Sequence, residues 1–355
     1  MNRRKFLKNS IGLAASTSLM GLSSVLGKNT LLPPDYLTFD LHCHPGFFFA
    51  KGVEGYSVDA GINKTLGDMI NGKLSGAFFS LVADAKTIKI GPEGVKPARN
   101  FESREAWTDY KRQMGVVKDL LKSNESLSIA TKGKDLQDDF ISKKIAGFIS
   151  CEGGDFLEGD AGRLEEMFQD GVRSLQLVHY HPNELGDLQT DAAQHNGLSA
   201  KGKEVVKRMN RLGMLIDVAH ATFETTKAVA DLTSQPIILS HSILTIDSPH
   251  PLVKRTISKE HAKLIAKTGG VIGAWPCGLN KSFDDFLDNT LRLIDAVGID
   301  HVGLGTDMDA NFKPVLNSYL QMPSWIEGLK SKALQDEEVR KVVGGNVKRV
   351  LEKVF

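Results

Sequence analysis

Short apolar runs alternate with amphipathic stretches from about position 36 to the end of the chain. The runs predict strands at 36–41, 76–83, 146–150, 174–178, 214–218, 237–240, 270–274 and 301–305. Between most of them lie stretches with helical periodicity, among them 104–122, 202–212, 223–232, 258–267 and 283–297. Repeated strand–helix units require parallel pairing with crossovers. Eight of them in roughly 320 residues predict an α/β fold, a (β/α)8 TIM-like barrel. A doubly wound open sheet is the alternative. No linker, low-complexity tract or internal repeat interrupts the pattern, so residues 31–355 read as one domain. The longest extra segment, 84–145, falls between strands two and three and is expected to be a helical insertion over one end of the barrel.

Residues 1–27 break the pattern. Their basic start is followed by a Gly/Ala/Ser-rich, moderately apolar run, too short and too rich in small residues for a good spanning helix. Arg3-Arg4-Lys5-Phe6-Leu7-Lys8 resembles a twin-arginine export signal, which is receptor-read and implies transport of a folded protein. Residues 1–30 are therefore expected to be an export signal, leaving a periplasmic protein that starts near Lys28 without stable membrane insertion. No Cys follows the apolar run, which argues against a lipoprotein anchor.

Composition adds mainly exclusions. The chain is 41% hydrophobic and 25% charged, ordinary for a globular protein. Lys and Arg number 44 against 43 Asp and Glu, so nothing calls for nucleic acid or an anionic membrane as partner. The three cysteines, Cys43, Cys151 and Cys277, are too few and odd in number for a disulfide framework; they read as small buried residues.

The chemistry lies at the ends of the strands. Strand one runs into Asp40-Leu41-His42-Cys43-His44. Strand three ends at Cys151-Glu152, strand four at His179-Tyr180-His181, strand five at His220, strand six at Ser240-His241-Ser242 and strand eight at Thr306-Asp307. In a barrel the C-terminal strand ends converge on one face, where active sites are built. Imidazole nitrogens and carboxylate oxygens suit zinc and its first-row neighbours. His42 and His44 are two apart and point to the same face of their strand. Glu152 can bridge two ions, and His220 and His241 can complete the second. Two ions about 3.5–4 Å apart can hold a bridging hydroxide and polarise a carbonyl. Each residue alone has a duller reading, a surface imidazole or a helix cap. Six strands that each place His, Glu or Asp at the same end are hard to obtain by chance.

These residues, in this order, resemble the membrane dipeptidase (renal dipeptidase) family, peptidase family M19, a group of amidohydrolase-like barrels. The most specific stretch runs from Asn196-Gly197-Leu198-Ser199 through Met209-Asn210-Arg211-Leu212-Gly213-Met214 to Asp217-Val218-Ala219-His220. The runs 236–242 and 301–309 and the terminal Gly344-Gly345-Asn346 with Arg349-Val350-Leu351 resemble further family motifs. The resemblance implies two Zn2+ ions per chain. His42 and His44 would hold the first, Glu152 would bridge both, and His220 and His241 would hold the second. Asp307 would transfer protons, His179 would stabilise the tetrahedral intermediate, and Arg255 would hold the substrate carboxylate. Trp275 stands where family members often carry a substrate-touching Tyr. One departure is clear: the family's first motif is usually His-x-Asp, and His44 here removes a negative charge. The implied activity is hydrolysis of dipeptides, with a homodimer as the favoured assembly. Two other readings stay open, an amidohydrolase acting on another amide, lactone or phosphoester, and an exported metal- or peptide-binding protein without turnover. Asp307 argues against the last, since a degenerate binder loses the proton-transfer carboxylate first.

Overall fold

The computed structural model describes residues 36–54 and 56–355; the export segment expected at 1–30 lies outside them. The strands are β1 (Phe39–Cys43), β2 (Gly76–Val82), β3 (Ile88–Gly91), β4 (Gly94–Pro97), β5 (Leu127–Ala130), β6 (Ile145–Glu152), β7 (Val172–Gln176), β8 (Leu215–Asp217), β9 (Ile238–Ser242), β10 (Val271–Ala274) and β11 (Val302–Leu304). Eight of them, β1, β2 and β6 to β11, pair in parallel around a ring that the β2–β6 ladder closes. They correspond one for one to the eight runs expected from the sequence, so the barrel is the fold and the open sheet is not.

Helices fill the crossovers: α1 (Asp59–Asn71), α2 (Glu105–Lys122), α3 (Asp135–Ile141), α4 (Arg163–Asp170), α5 (Ala200–Leu212), α6 (Phe223–Leu232), α7 (Lys259–Lys267) and α8 (Phe283–Val297). Four start on a hydroxyl cap. Ser199, Thr222, Ser258 and Ser282 accept from the backbone N–H of Gly202, Thr225, His261 and Asp285, satisfying donors that the first turn leaves free. After β11 come α9 (Met322–Ser331), α10 (Asp336–Arg340) and α11 (Asn346–Val354). No helix among the described residues is long and apolar enough to cross a membrane.

The 84–145 insertion carries the expected helices, α2 and α3, and adds strands that the sequence pattern does not predict. It opens with an antiparallel hairpin, β3 against β4, and its strand β5 pairs beside the first half of β6. These strands are four residues each and carry Lys89, Lys96 and Ser128, too little apolar alternation to register in a sequence pattern. Helix α2 meets the C-terminal strand ends, where Arg112 donates to the Phe49 carbonyl just beyond β1. The buried Gln113 amide accepts from Val82 N–H and donates to its carbonyl, both at 2.9 Å, tying α2 against the end of β2.

The barrel closes at its N-terminal end by apolar packing. Phe39, Phe78 and Phe148 meet with ring centroids 5.5–5.9 Å apart, in a cluster that Val347, Val350 and Leu351 of α11 complete from below. Above this floor the register between β1 and β2 shifts between Asp40 and Cys43. Phe39 and Leu41 thus belong to the floor cluster while His42, within the shift, and His44, beyond it, both face Glu152. Gly273 and Gly305 are small by necessity, because a methyl on either would run into the Ser240 carbonyl.

Not every buried histidine belongs to the site. His261 on α7 is 3% exposed and its Nε2 lies 2.7 Å from the Thr226 hydroxyl. Burial depresses its pKa to about 4. A depressed imidazole favours the neutral folded state, so its contribution is complete above the unfolded value of about 6.5 and drains away as pH falls toward 4. Between those limits wild type is expected to lose roughly 3 kcal/mol more stability than His261→Gln, from about 1.4 kcal/mol per pKa unit. Denaturant unfolding of both proteins from pH 7 to pH 4 checks this; parallel curves would show that His261 does not titrate in this window.

Candidate active site

At the C-terminal end of the barrel, Glu152 is the centre of a ring of imidazoles. Its Oε1 lies 3.3 Å from His42 Nε2, 3.3 Å from His179 Nε2, 3.2 Å from His220 Nε2 and 3.9 Å from His241 Nε2. Its Oε2 lies 3.3 Å from His44 Nε2, which is also 3.4 Å from Asp307 Oδ1. All these residues are buried. Residues spread over more than 260 positions of sequence therefore share one small volume, because the parallel barrel delivers each strand's C-terminal end to the same face.

The backbone around them is held by buried carboxylates. Asp40 accepts from the N–H of His42 and of Thr306, from the Thr306 hydroxyl, and from Tyr319 Oη at 2.6 Å. Asp307 N–H in turn donates to the His42 carbonyl at 2.9 Å, so the ends of β1 and β11 are sewn together. Asp217 accepts from the N–H of Ala219 and Ser240, fixing the ends of β8 and β9 that carry His220 and His241. His220 and Asp307 both sit at positive φ, 66° and 56°, where a non-glycine residue is strained unless its surroundings demand it.

Ring orientation is set from behind. His44 Nδ1 lies 2.8 Å from the Ser80 carbonyl, to which it donates, so Nε2 is the nitrogen that faces the acids. His241 Nδ1 meets the Ser240 hydroxyl at 3.0 Å. His179 Nδ1 lies 2.6 Å from Asp84 Oδ1, while Asp84 Oδ2 accepts from the N–H of Tyr180 and His181. Such carboxylate or carbonyl partners orient ligating and catalytic imidazoles.

Electrostatics follow from this crowding. Burial would push the Glu152 carboxyl up, but the His179 and His42 rings beside it hold it well below the carboxylate range. Burial works against the charged form of His44 too, yet Asp307 and Glu152 raise it to about 10. His220 and His241 go the other way, held well below the ordinary histidine value by burial and, among other charges, by the Arg255 guanidinium. The Nε2 atoms of His42 and His44 make no hydrogen bond despite their burial. Buried imidazole nitrogens that converge on one ionised carboxylate, two of them without a hydrogen-bond partner, fit a divalent cation that would take the place of protons there. Three overlapping groups can grip one: His42, His44 and Asp307; His42, Glu152 and His241; Glu152, His179 and His220. Imidazole and carboxylate donors in this ratio suit zinc or a first-row neighbour.

Arg255 and Trp275 form one wall. The Arg255 side chain is almost wholly buried. One guanidinium nitrogen donates to Gln189 Oε1 at 3.0 Å, another lies 3.1 Å from His241 Nε2, and Nε has no partner. Trp275 is 5.5 Å from the guanidinium carbon and its ring is 5.4 Å from that of His241. All nine residues expected at the site are thus brought together. Asp84, Asp40, Asp217 and Gln189 were not anticipated. Asp84 follows β2 directly and obeys the same strand-end rule that found the others; Gln189 lies mid-loop, with no such signal.

A profile of Membrane dipeptidase (Peptidase family M19) matches residues 32–355. The chain belongs to the membrane dipeptidase family. Members of this M19 group are metallopeptidases, so the chain is placed among hydrolases. It is 26% identical over 292 residues to dipeptidase verJ of Clonostachys rogersoniana, covering 80% of this chain and 74% of that protein. Solved structures share its fold. One is a metallo peptidase from Rhodobacter sphaeroides liganded with a phosphinate mimic of the dipeptide L-Ala-D-Ala, with TM-score 0.76 and 19% identity over 90% of this chain and all of that one. Another is the probable dipeptidase PvdM from Pseudomonas aeruginosa, with TM-score 0.74 and 21% identity, covering 90% of this chain and 96% of that one. The cysteines of this family member are free and buried; Cys43 Sγ donates to the Phe78 carbonyl.

Proposed function

We propose that the protein is a zinc-dependent dipeptidase, and the observation that carries this reading is the ring of five imidazoles and one further acid around Glu152. His42 and His44 would hold one ion, His220 and His241 the other, with Glu152 shared between them. When bound, the ions supply Lewis acidity, acidifying a water and polarising the scissile carbonyl. The chain's own groups do the rest. Asp307 Oδ1 faces the same space as Glu152 and takes the proton of the attacking water, then returns it to the leaving amine. His179, gripped at Nδ1 by Asp84, presents Nε2 on the opposite side of Glu152, where it stabilises negative charge growing on the carbonyl oxygen. Burial of all these groups excludes bulk water, which strengthens each interaction.

Arg255 binds the free carboxylate of the substrate. A guanidinium held by Gln189 and backed by Trp275, with Nε unpaired, is prepared for a charged acceptor. That contact selects the C-terminal peptide bond of a short peptide, because any other bond placed at the site would leave a peptide group where the clamp expects a carboxylate. Arg255→Ala is expected to raise KM for dipeptides about 10–100-fold, the loss of one charge-assisted pair, with a smaller change in kcat. Steady-state kinetics check it, and an unchanged KM would remove the clamp.

The reading as a whole is tested by elemental analysis of the purified protein together with a dipeptide panel. About two zinc ions per chain and dipeptide turnover are expected. Metal-loaded protein that ignored every dipeptide but opened lactones or phosphotriesters would move the activity elsewhere among amidohydrolases.

A further inference from the structure

The hairpin β3–β4 has no part in the barrel, yet its contacts lead to the site. It springs from the end of β2. In the ring order β1, β2, β6, β7, β8, β9, β10, β11, the strand opposite β2 is β9. The hairpin reaches the loop that follows β9: a Cβ on Gly94 would lie 3.3 Å from Pro251 Cβ. Pro251 opens the short 3-10 turn that ends at Arg255. The hairpin's second strand also touches the loop after β7, where Lys96 Nζ donates to the Thr190 carbonyl. Gln189, the neighbour of Thr190, accepts from Arg255 and donates through its amide to the Thr256 carbonyl. The turn that carries Arg255 and the loop that holds its guanidinium therefore both meet the hairpin. The hairpin itself buries little; Ile90 is 54% exposed.

We infer that residues 88–97 form a strap over the barrel mouth that limits substrate length, with Lys96 as the anchor that positions it. This rests on the dipeptidase reading above. A peptide clamped by Arg255 and cleaved beside Glu152 has its next residue directed toward the mouth, and the strap closes that direction. Lys96 acts through Thr190 and the strap, touching none of the imidazoles.

The strap can be excised without disturbing its base. Ala98 N–H already donates to the Thr87 carbonyl at 2.7 Å, so Thr87 and Ala98 are the two ends of a turn. Replacing residues 88–97 by Asn-Gly makes that turn two residues long. Expected is a rise of roughly tenfold or more in the tripeptide-to-dipeptide ratio of kcat/KM, with dipeptide kcat within about threefold of wild type. An excised protein that turns over dipeptides and still rejects tripeptides overturns the strap. Lys96→Met is the second variant, keeping the hairpin but cutting its anchor; it is expected to raise the ratio by a smaller factor. Its readout without turnover is hydrogen exchange at Val253, whose N–H donates to the His250 carbonyl. Faster exchange than in wild type supports the strap, and identical exchange overturns it. Wild type inert toward every dipeptide would sink the dipeptidase reading instead, leaving the exchange result to judge the strap.

Discussion

Asp307→Asn is expected to lower kcat by roughly 10²–10⁴, the range that a positioned proton acceptor contributes, while leaving the metal content unchanged. The substitution is well suited to isolate one property. Asp307 occupies the left-handed region, φ 56°, which Asn tolerates as well as Asp, so the backbone has no reason to move. Its N–H bond to the His42 carbonyl does not involve the side chain and persists. The side chain is 12% exposed against 4% for Glu152, so it is the acid nearer the open face, where substrate and water arrive. An amide of the same shape keeps this position but cannot accept a proton at neutral pH. Steady-state kinetics and elemental analysis on the same preparation decide the matter. Retained metal with lost turnover assigns Asp307 to proton transfer. If metal and turnover fall together, its proximity to His44 reflects ion holding and the assignment fails; full activity would remove any role.

Much of this site can be read from the sequence because a parallel barrel converts strand order into spatial convergence. His42, Glu152, His179, His220, His241 and Asp307 each end or directly follow an apolar run, and the topology alone brings them together. What the sequence does not disclose is register. The shift between Asp40 and Cys43 lets Leu41 serve the floor while His42 serves the site, although period-two alternation forbids neighbours to share a face. Nor does alternation separate Asp40 and Asp217 from the acids in the centre. Each is a strand carboxylate near a histidine, yet each spends one oxygen on two backbone N–H groups. The hairpin is illegible for another reason. Its strands are short and largely solvated, so no apolar periodicity marks them, and only the contacts of Gly94 and Lys96 show where they reach.

Glu152→Gln is expected to have the opposite signature on metal, losing both bound ions and turnover, the latter by about 10³-fold or more. Among the described residues Glu152 is the only carboxylate that approaches all five imidazoles, and it stays ionised because His179 and His42 outweigh the effect of its burial. An amide of equal volume fits the space but removes the negative charge at its centre, and turns a donor N–H₂ toward lone pairs that a cation would share. The remaining imidazoles are neutral or mutually repelling and offer far weaker attraction for divalent ions. Stability gives a second readout. An ion that binds only the folded state adds about 2.7 kcal/mol at a hundred times its Kd, so a chelator should lower the wild-type Tm. The Glu152→Gln protein, with nothing to surrender, should melt at the same temperature with and without chelator. A variant that kept two zinc ions and its chelator response would show that Glu152 is not what holds them, and Asp307→Asn with intact metal beside it supplies the control that a buried charge can be removed here without emptying the site.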